Sequence, residues 1–278
     1  MRIHEAATWL RRRGAARGAT VSIIGAWMLM SSNNVNAAIR PSEWHWADIQ
    51  GHKIYYAVKG HGPTLLLLHG GGDSGEHSFA RQLDAFSQHH RIVAPDQVGQ
   101  GRTPEVPGAL TYTGMMDDTA ALLRHLQLDH VDVVGFSDGG ILALMLAVRH
   151  PELVRRLVVS GVNIAPEGLG ADNLEQLRAA ENPQPKTMDE KLAHLWLTSP
   201  TPAELSLAML AKIHQPVLLI SGDRDAVTLE HTLTIFHALP GAELCVLPGT
   251  DHATFSGRPE WLNPIIGAFL DRPVSGSR

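Results

Sequence analysis

Short, mostly apolar runs that look like buried strands recur along most of this 278-residue chain, and helical patterns fall between them. The runs are Leu65–Leu68, Arg91–Ala94, Val131–Val134, Leu157–Ser160, Val217–Ile220 and Leu244–Leu247. The helical stretches are at about His77–Ser87, Met115–Leu126, Ile141–Arg149, Thr228–Ala238 and Pro259–Leu270. A strand that is apolar on both faces has to be covered on both faces. Alternation of such strands with helices therefore predicts an α/β domain, a mostly parallel sheet with helices on either side. Two shorter strands, Trp44–Ile49 and Lys53–Val58, precede the alternation. One segment breaks it: 163–213 is about fifty residues of helical, proline-punctuated sequence without a strand, too long for a plain connection. It is expected to form a small helical cap.

The first 37 residues have a different character. Arg11, Arg12, Arg13 and Arg17 make a basic head, and Ala19 to Met30 is an apolar stretch of 12 residues. Val35 and Ala37 then stand at the small-residue positions of a cleavage site. This pattern predicts a signal peptide cut after Ala37, an exported (periplasmic or secreted) protein, and one domain over 38–278. An uncleaved N-terminal anchor is the alternative, although the apolar stretch falls short of the roughly 20 residues that span a bilayer. Removal of the leader takes away five arginines and one glutamate, so the formal charge moves from −5 to −9. Such a surface does not suit nucleic acid, nor stable association with an anionic membrane. Cys245 is the only cysteine, which leaves no internal disulfide, and its place in a strand-like run suits a small buried apolar residue.

The most specific motif lies within Val131–Met145. The strand-like run stops at Gly135, a small-residue turn carries Ser137, and a helix-prone stretch follows from Ile141. This is the setting in which G-x-S-x-G forms a nucleophile elbow, a turn too tight for side chains at Gly135 and Gly139. The alternative for Ser137 is a helix-capping serine. A serine hydroxyl needs a base, a group to orient that base, and donors for an oxyanion. Strand ends supply all three. Leu65–Leu68 runs into His69-Gly70-Gly71-Gly72-Asp73, where the Gly71 N–H, with Gly72 as reserve, is expected to join the Asp138 N–H as an oxyanion pair. Val217–Ile220 ends in Asp223 and Asp225, and Leu244–Leu247 leads to His252, the expected base. The order Ser137, acid, His252 suits this architecture.

With its supporting motifs, His69-Gly-Gly-Gly, Pro95 to Thr103, Gly135 to Gly139, Ser221 to Asp225 and Gly249 to His252, the chain resembles the serine α/β-hydrolases over residues 44–271. The resemblance implies Asp225 rather than Asp223 as the acid. Ser137-Asp138-Gly-Gly and Gly161-Val-Asn163 look like the valacyclovir-hydrolase (biphenyl-hydrolase-like) branch. That likeness implies ester cleavage and a substrate ammonium received by Asp138. Three successive glycines after His69 and the export signal depart from the branch pattern.

The expected function is therefore cleavage of small-molecule carboxylic esters through an acyl-enzyme, with catalytic Ser137, Asp225 and His252. Asp138 and Trp196 are candidate substrate contacts, and Trp196, Leu207 and Met209 are candidate apolar cap residues. No metal or organic cofactor is expected. Lactone, amide or C–C bond hydrolysis on the same residues is the alternative, as is a ligand receptor with little turnover. His69 and Asp96 are expected to order their loops. Gly70 to Gly75 also satisfies G-x-G-x-x-G, but a dinucleotide site leaves Ser137, Asp225 and His252 unexplained. His89-His90 lacks metal-ligand spacing.

Overall fold

A computed structural model of the protein describes residues 42–273; the expected leader, 1–37, and its cleavage point lie outside them. Eight strands form one sheet in the order β1-β2-β4-β3-β5-β6-β7-β8. They are β1 (Glu43–Ile49), β2 (His52–Lys59), β3 (Thr64–Leu68), β4 (Arg91–Pro95), β5 (Val131–Phe136), β6 (Val154–Ser160), β7 (Val217–Gly222) and β8 (Glu243–Leu247). The first pairs, β1 with β2 and β2 with β4, are antiparallel. All later pairs are parallel. The fold class expected from the alternation is the one observed.

Helices cover both faces. The long ones are α3 (Tyr112–His125), α4 (Asp138–Arg149) and α10 (Pro259–Leu270), with α8 (Leu229–Ala238) near β7. On one face Leu65, Leu67, Ile92, Ala94, Val134 and Ile220 pack with Phe79, Phe86, Phe255, Ile266 and Phe269 in a single buried cluster. On the other, α4 lies over β5 and β6 and against α3. Such continuous apolar strands need both covers, since burying each large side chain contributes about 2 kcal/mol.

One helix differs from expectation. His77–Ser87 is two short turns, α1 (Gly75–Ser78) and α2 (Leu83–Phe86), rather than one helix. The chain bends between them because Gln82 turns inward, donating from Nε2 to Phe255 O at 2.8 Å and to Asn263 Oδ1 at 2.9 Å. Two helices also start earlier than expected. The Thr111 hydroxyl accepts the Gly114 N–H and starts α3 at Tyr112, while α4 begins at Asp138, directly after Ser137.

Between β6 and β7 lie α5 (Ala171–Ala179), α6 (Met188–Thr198) and α7 (Leu207–Leu210). Thr187 and Glu190 form a reciprocal capping box at the start of α6, which fixes where that helix begins. The last strand, β8, is bonded to β7 on one side only, and most of its residues are partly or fully exposed. One short helix, α9 (Thr254–Gly257), follows its loop.

Candidate active site

The parallel strands β3, β5, β7 and β8 deliver their C-terminal ends to one edge of the sheet, and the expected site residues gather there. Ser137 follows β5 with φ +51° and ψ −118°, a left-handed conformation that is costly for a residue with a side chain. Its N–H donates to Ser160 O at 2.8 Å, and its own carbonyl accepts the Gly140 N–H at 2.8 Å. The glycines are needed for contact. A Cβ on Gly135 would collide with Gly139 O, and one on Gly139 would collide with Leu68 O.

His252 approaches from the loop after β8. Its Nε2 lies 2.9 Å from Ser137 Oγ, and its Nδ1 lies 2.6 Å from Asp225 Oδ1. A carboxylate accepts, so Nδ1 carries the proton and Nε2 faces the hydroxyl as an acceptor. Asp225 is held in turn: its Oδ1 accepts the Val227 N–H at 3.0 Å and its Oδ2 the Gly222 N–H at 3.4 Å. Its side chain is fully buried. The Phe136 ring packs against the imidazole at 5.1 Å, and a Cβ on Gly161 would press on it from another side.

The electrostatics of this pair are mutual. Burial alone would lower the His252 pKa, but the charge and hydrogen bond of Asp225 outweigh it, with help from Asp138 and Asp251, so the pKa is raised. Burial alone would raise that of Asp225; the charge and hydrogen bond of His252, with the two backbone donors, bring it below the ordinary value. Asp223 is placed differently. Its Oδ1 accepts the Thr250 N–H at 3.1 Å, which ties the loop that carries His252.

The glycine-rich loop after β3 lies beside the serine. The Gly72 N–H is already engaged by Gln100 Oε1 at 2.7 Å. The Gly71 and Asp138 N–H groups have no hydrogen-bond acceptor among the described residues. Asp96 orders the neighbouring loop by accepting the Gly75 and Arg102 N–H groups, each at 2.8 Å. Gly70 to Gly75 thus forms a bonded loop rather than a long helix start. Among the described residues no group of three or more His, Cys, Asp or Glu side chains is placed to hold a metal ion.

Asp138 is 4% exposed. Its Oδ1 accepts from Tyr112 Oη at 2.8 Å and from Trp196 Nε1 at 2.9 Å, and the same indole N–H is 3.0 Å from Oδ2. Burial pushes this carboxyl up, against the pull of the Trp196 and Tyr112 donors. Sequence reasoning missed Tyr112 and Gln100. Gln100 lies within the Pro95 to Thr103 motif, which does not show its side chain reaching Gly72; Tyr112 sits in no motif, and the Thr111 cap signal marks the helix start but not the role of the residue after it. Leu207 is exposed, so it does not act as a buried wall in this arrangement.

The sheet order and the strand–Ser137–helix turn are those of the α/β-hydrolase fold, and the model of the alpha/beta hydrolase fold family matches residues 63–180. Among curated relatives, "Putative carbamate hydrolase RutD" of Serratia proteamaculans is 40% identical over 98 residues, 35% of this chain and 36% of that protein. The 2-hydroxy-6-oxo-2,4-heptadienoate hydrolase of Pseudomonas putida is 39% identical over 106 residues, 37% of this chain and 38% of that protein, so the chain matches little more than a third of either relative. A solved hydrolase from Pseudomonas aeruginosa superposes with a TM-score of 0.68 at 22% identity, covering 84% of this chain and all of that one. That likeness shows the shared fold.

Proposed function

We propose that the protein is a serine hydrolase that cleaves small-molecule carboxylic esters through an acyl-enzyme. One observation carries the reading: a single imidazole spans Ser137 Oγ at 2.9 Å and Asp225 Oδ1 at 2.6 Å. In this reading Ser137 Oγ bonds to the ester carbonyl carbon while its proton passes to His252 Nε2. The negative carbonyl oxygen is held by the Gly71 and Asp138 N–H groups. His252 returns the proton to the alkoxide as the C–O bond breaks and the alcohol leaves. Water then attacks the acyl-enzyme, giving its proton to His252, and the acid departs as Ser137 regains its proton. Asp225 keeps the imidazole in the tautomer that accepts from serine and stabilises the imidazolium. This sequence of steps requires no metal or organic cofactor.

The Pseudomonas putida relative supports a second reading, hydrolysis of a C–C bond next to a ketone on the same residues. The RutD-named relative likewise supports a carbamate. Leaving-group chemistry separates them. From the leader in its sequence, we place the mature protein outside the cytoplasm, free of stable membrane attachment.

Ser137→Ala is the test. Turnover of p-nitrophenyl esters should fall about 10⁴-fold or more, with circular dichroism unchanged. A fluorophosphonate should label Ser137 in the parent and nothing in the variant. A purified, folded variant that keeps most of its esterase activity overturns the assignment, and parallel assays on a vinylogous 1,5-diketone and a carbamate decide the bond class.

A further inference from the structure

Four segments distant in sequence meet at the Asp138 carboxyl. Tyr112 comes from the start of α3, Trp196 from α6, Gly71 from the loop after β3, and Asp138 itself follows Ser137. Tyr112 and Trp196 are neutral donors, and together they occupy Oδ1 and part of Oδ2. A carboxylate has about four acceptor directions, so a substrate ammonium would have to displace one of these donors or crowd in beside them. Gly71 closes against the Oδ2 side of the carboxyl. A Cβ on Gly71 would collide with Asp138 Oδ2 and would lie 2.7 Å from Trp196 Cζ2. The bare Cα of Gly71 therefore rests on the carboxyl and the indole together. Whatever holds those two groups holds the peptide of Gly71.

We propose that the Tyr112–Asp138–Trp196 clasp is a positioning device: it makes the oxyanion hole complete only when α6 is seated, with Asp138 and Trp196 acting through the Gly71 N–H. This rests on the hydrolase reading above. It differs from a substrate-binding role for the carboxylate, because two protein donors already engage the carboxyl. Seating of α6 and assembly of the site then become one event, the kind of coupling by which closure over a substrate completes a catalytic arrangement.

Trp196→Phe keeps an aromatic body and removes the Nε1–H. Losing an oxyanion donor outright costs about 10²–10³ in kcat, so displacing one is expected to lower kcat by about tenfold or more. The loss should be similar on p-nitrophenyl acetate, butyrate and octanoate and on an amino-acid p-nitrophenyl ester, with KM changed by less than about threefold. Asp138→Asn keeps an oxygen for both donors and should lose less than Asp138→Ala, equally on neutral and amino-acid esters. Undiminished kcat in Trp196→Phe overturns the proposal, as does a rise in KM confined to the long acyl chain. A loss in Asp138→Asn confined to the amino-acid ester overturns it in favour of ammonium recognition. If Trp196→Phe does not fold, Tyr112→Phe, which removes the other donor, is read by the same split between kcat and KM. Ser137→Ala run alongside keeps the two questions apart: an active Ser137→Ala defeats the hydrolase reading, whereas an inactive one beside a fully active Trp196→Phe defeats the clasp alone.

Discussion

His69 Nε2 accepts the Gln97 N–H at 2.8 Å while its Nδ1 lies 2.7 Å from Gly70 O, so one buried imidazole joins the ends of β3 and β4. A backbone N–H can only donate and a carbonyl can only accept, so the ring is held as the Nδ1–H tautomer. The glycine-rich loop beside Ser137 is thereby fastened at its first residue.

His69→Ala leaves the Gln97 N–H unpaired in a dry interior, while Gly70 O keeps the Asp73 N–H at 3.3 Å. One unpaired buried group costs about 1–3 kcal/mol, so stability should fall by about 2 kcal/mol, read as a lower urea midpoint. At a temperature where the variant is still folded, kcat should fall for every ester, since the loop that carries Gly71 has lost its anchor. An unaltered urea midpoint contradicts this account.

The raised pKa of His252 sets the acid limb of the rate profile. The imidazole must be unprotonated to receive the serine proton, so kcat/KM should decline, as pH falls, from a point above the ordinary histidine value. Asp225→Asn removes the largest influence that raises the pKa. Its acid limb should therefore move to lower pH, while the plateau drops about 10⁴-fold. A pH-stat assay on an ester with a neutral leaving alcohol measures both. An acid limb that moves upward in Asp225→Asn contradicts the charge assignment.

Glycines here divide by what surrounds them. Gly139 has Leu68 O where a side chain would go, whereas Gly267, inside α10, has open space. Gly267→Ala should stabilise the protein by about 1 kcal/mol, because alanine loses less backbone freedom in a helix. Thermal melting tests this, and no gain in melting temperature counts against it.

Much of this architecture was legible before any coordinates. The parallel strands announce themselves because they are apolar on both faces, and Ser137, Asp225 and His252 lie where those strands end. What the chain did not disclose is tertiary in origin. The break between α1 and α2 depends on Gln82 reaching Phe255, more than 170 residues away in sequence. Tyr112 is a helix-start residue like many others until Asp138 is placed beside it. Asp138 invited a reading as a substrate contact because its position after Ser137 is visible, while the two donors that engage it are not. Helix starts moved by a few residues because capping, rather than periodicity, decides them.

The base in this site hangs from an edge strand of the sheet. With one neighbouring strand among the described residues and much of its length facing water, β8 can fray while the central strands stay paired. Fraying there withdraws the imidazole and leaves the serine in place. Mild heat or denaturant should therefore silence such a molecule while its interior is still intact, with activity returning on cooling.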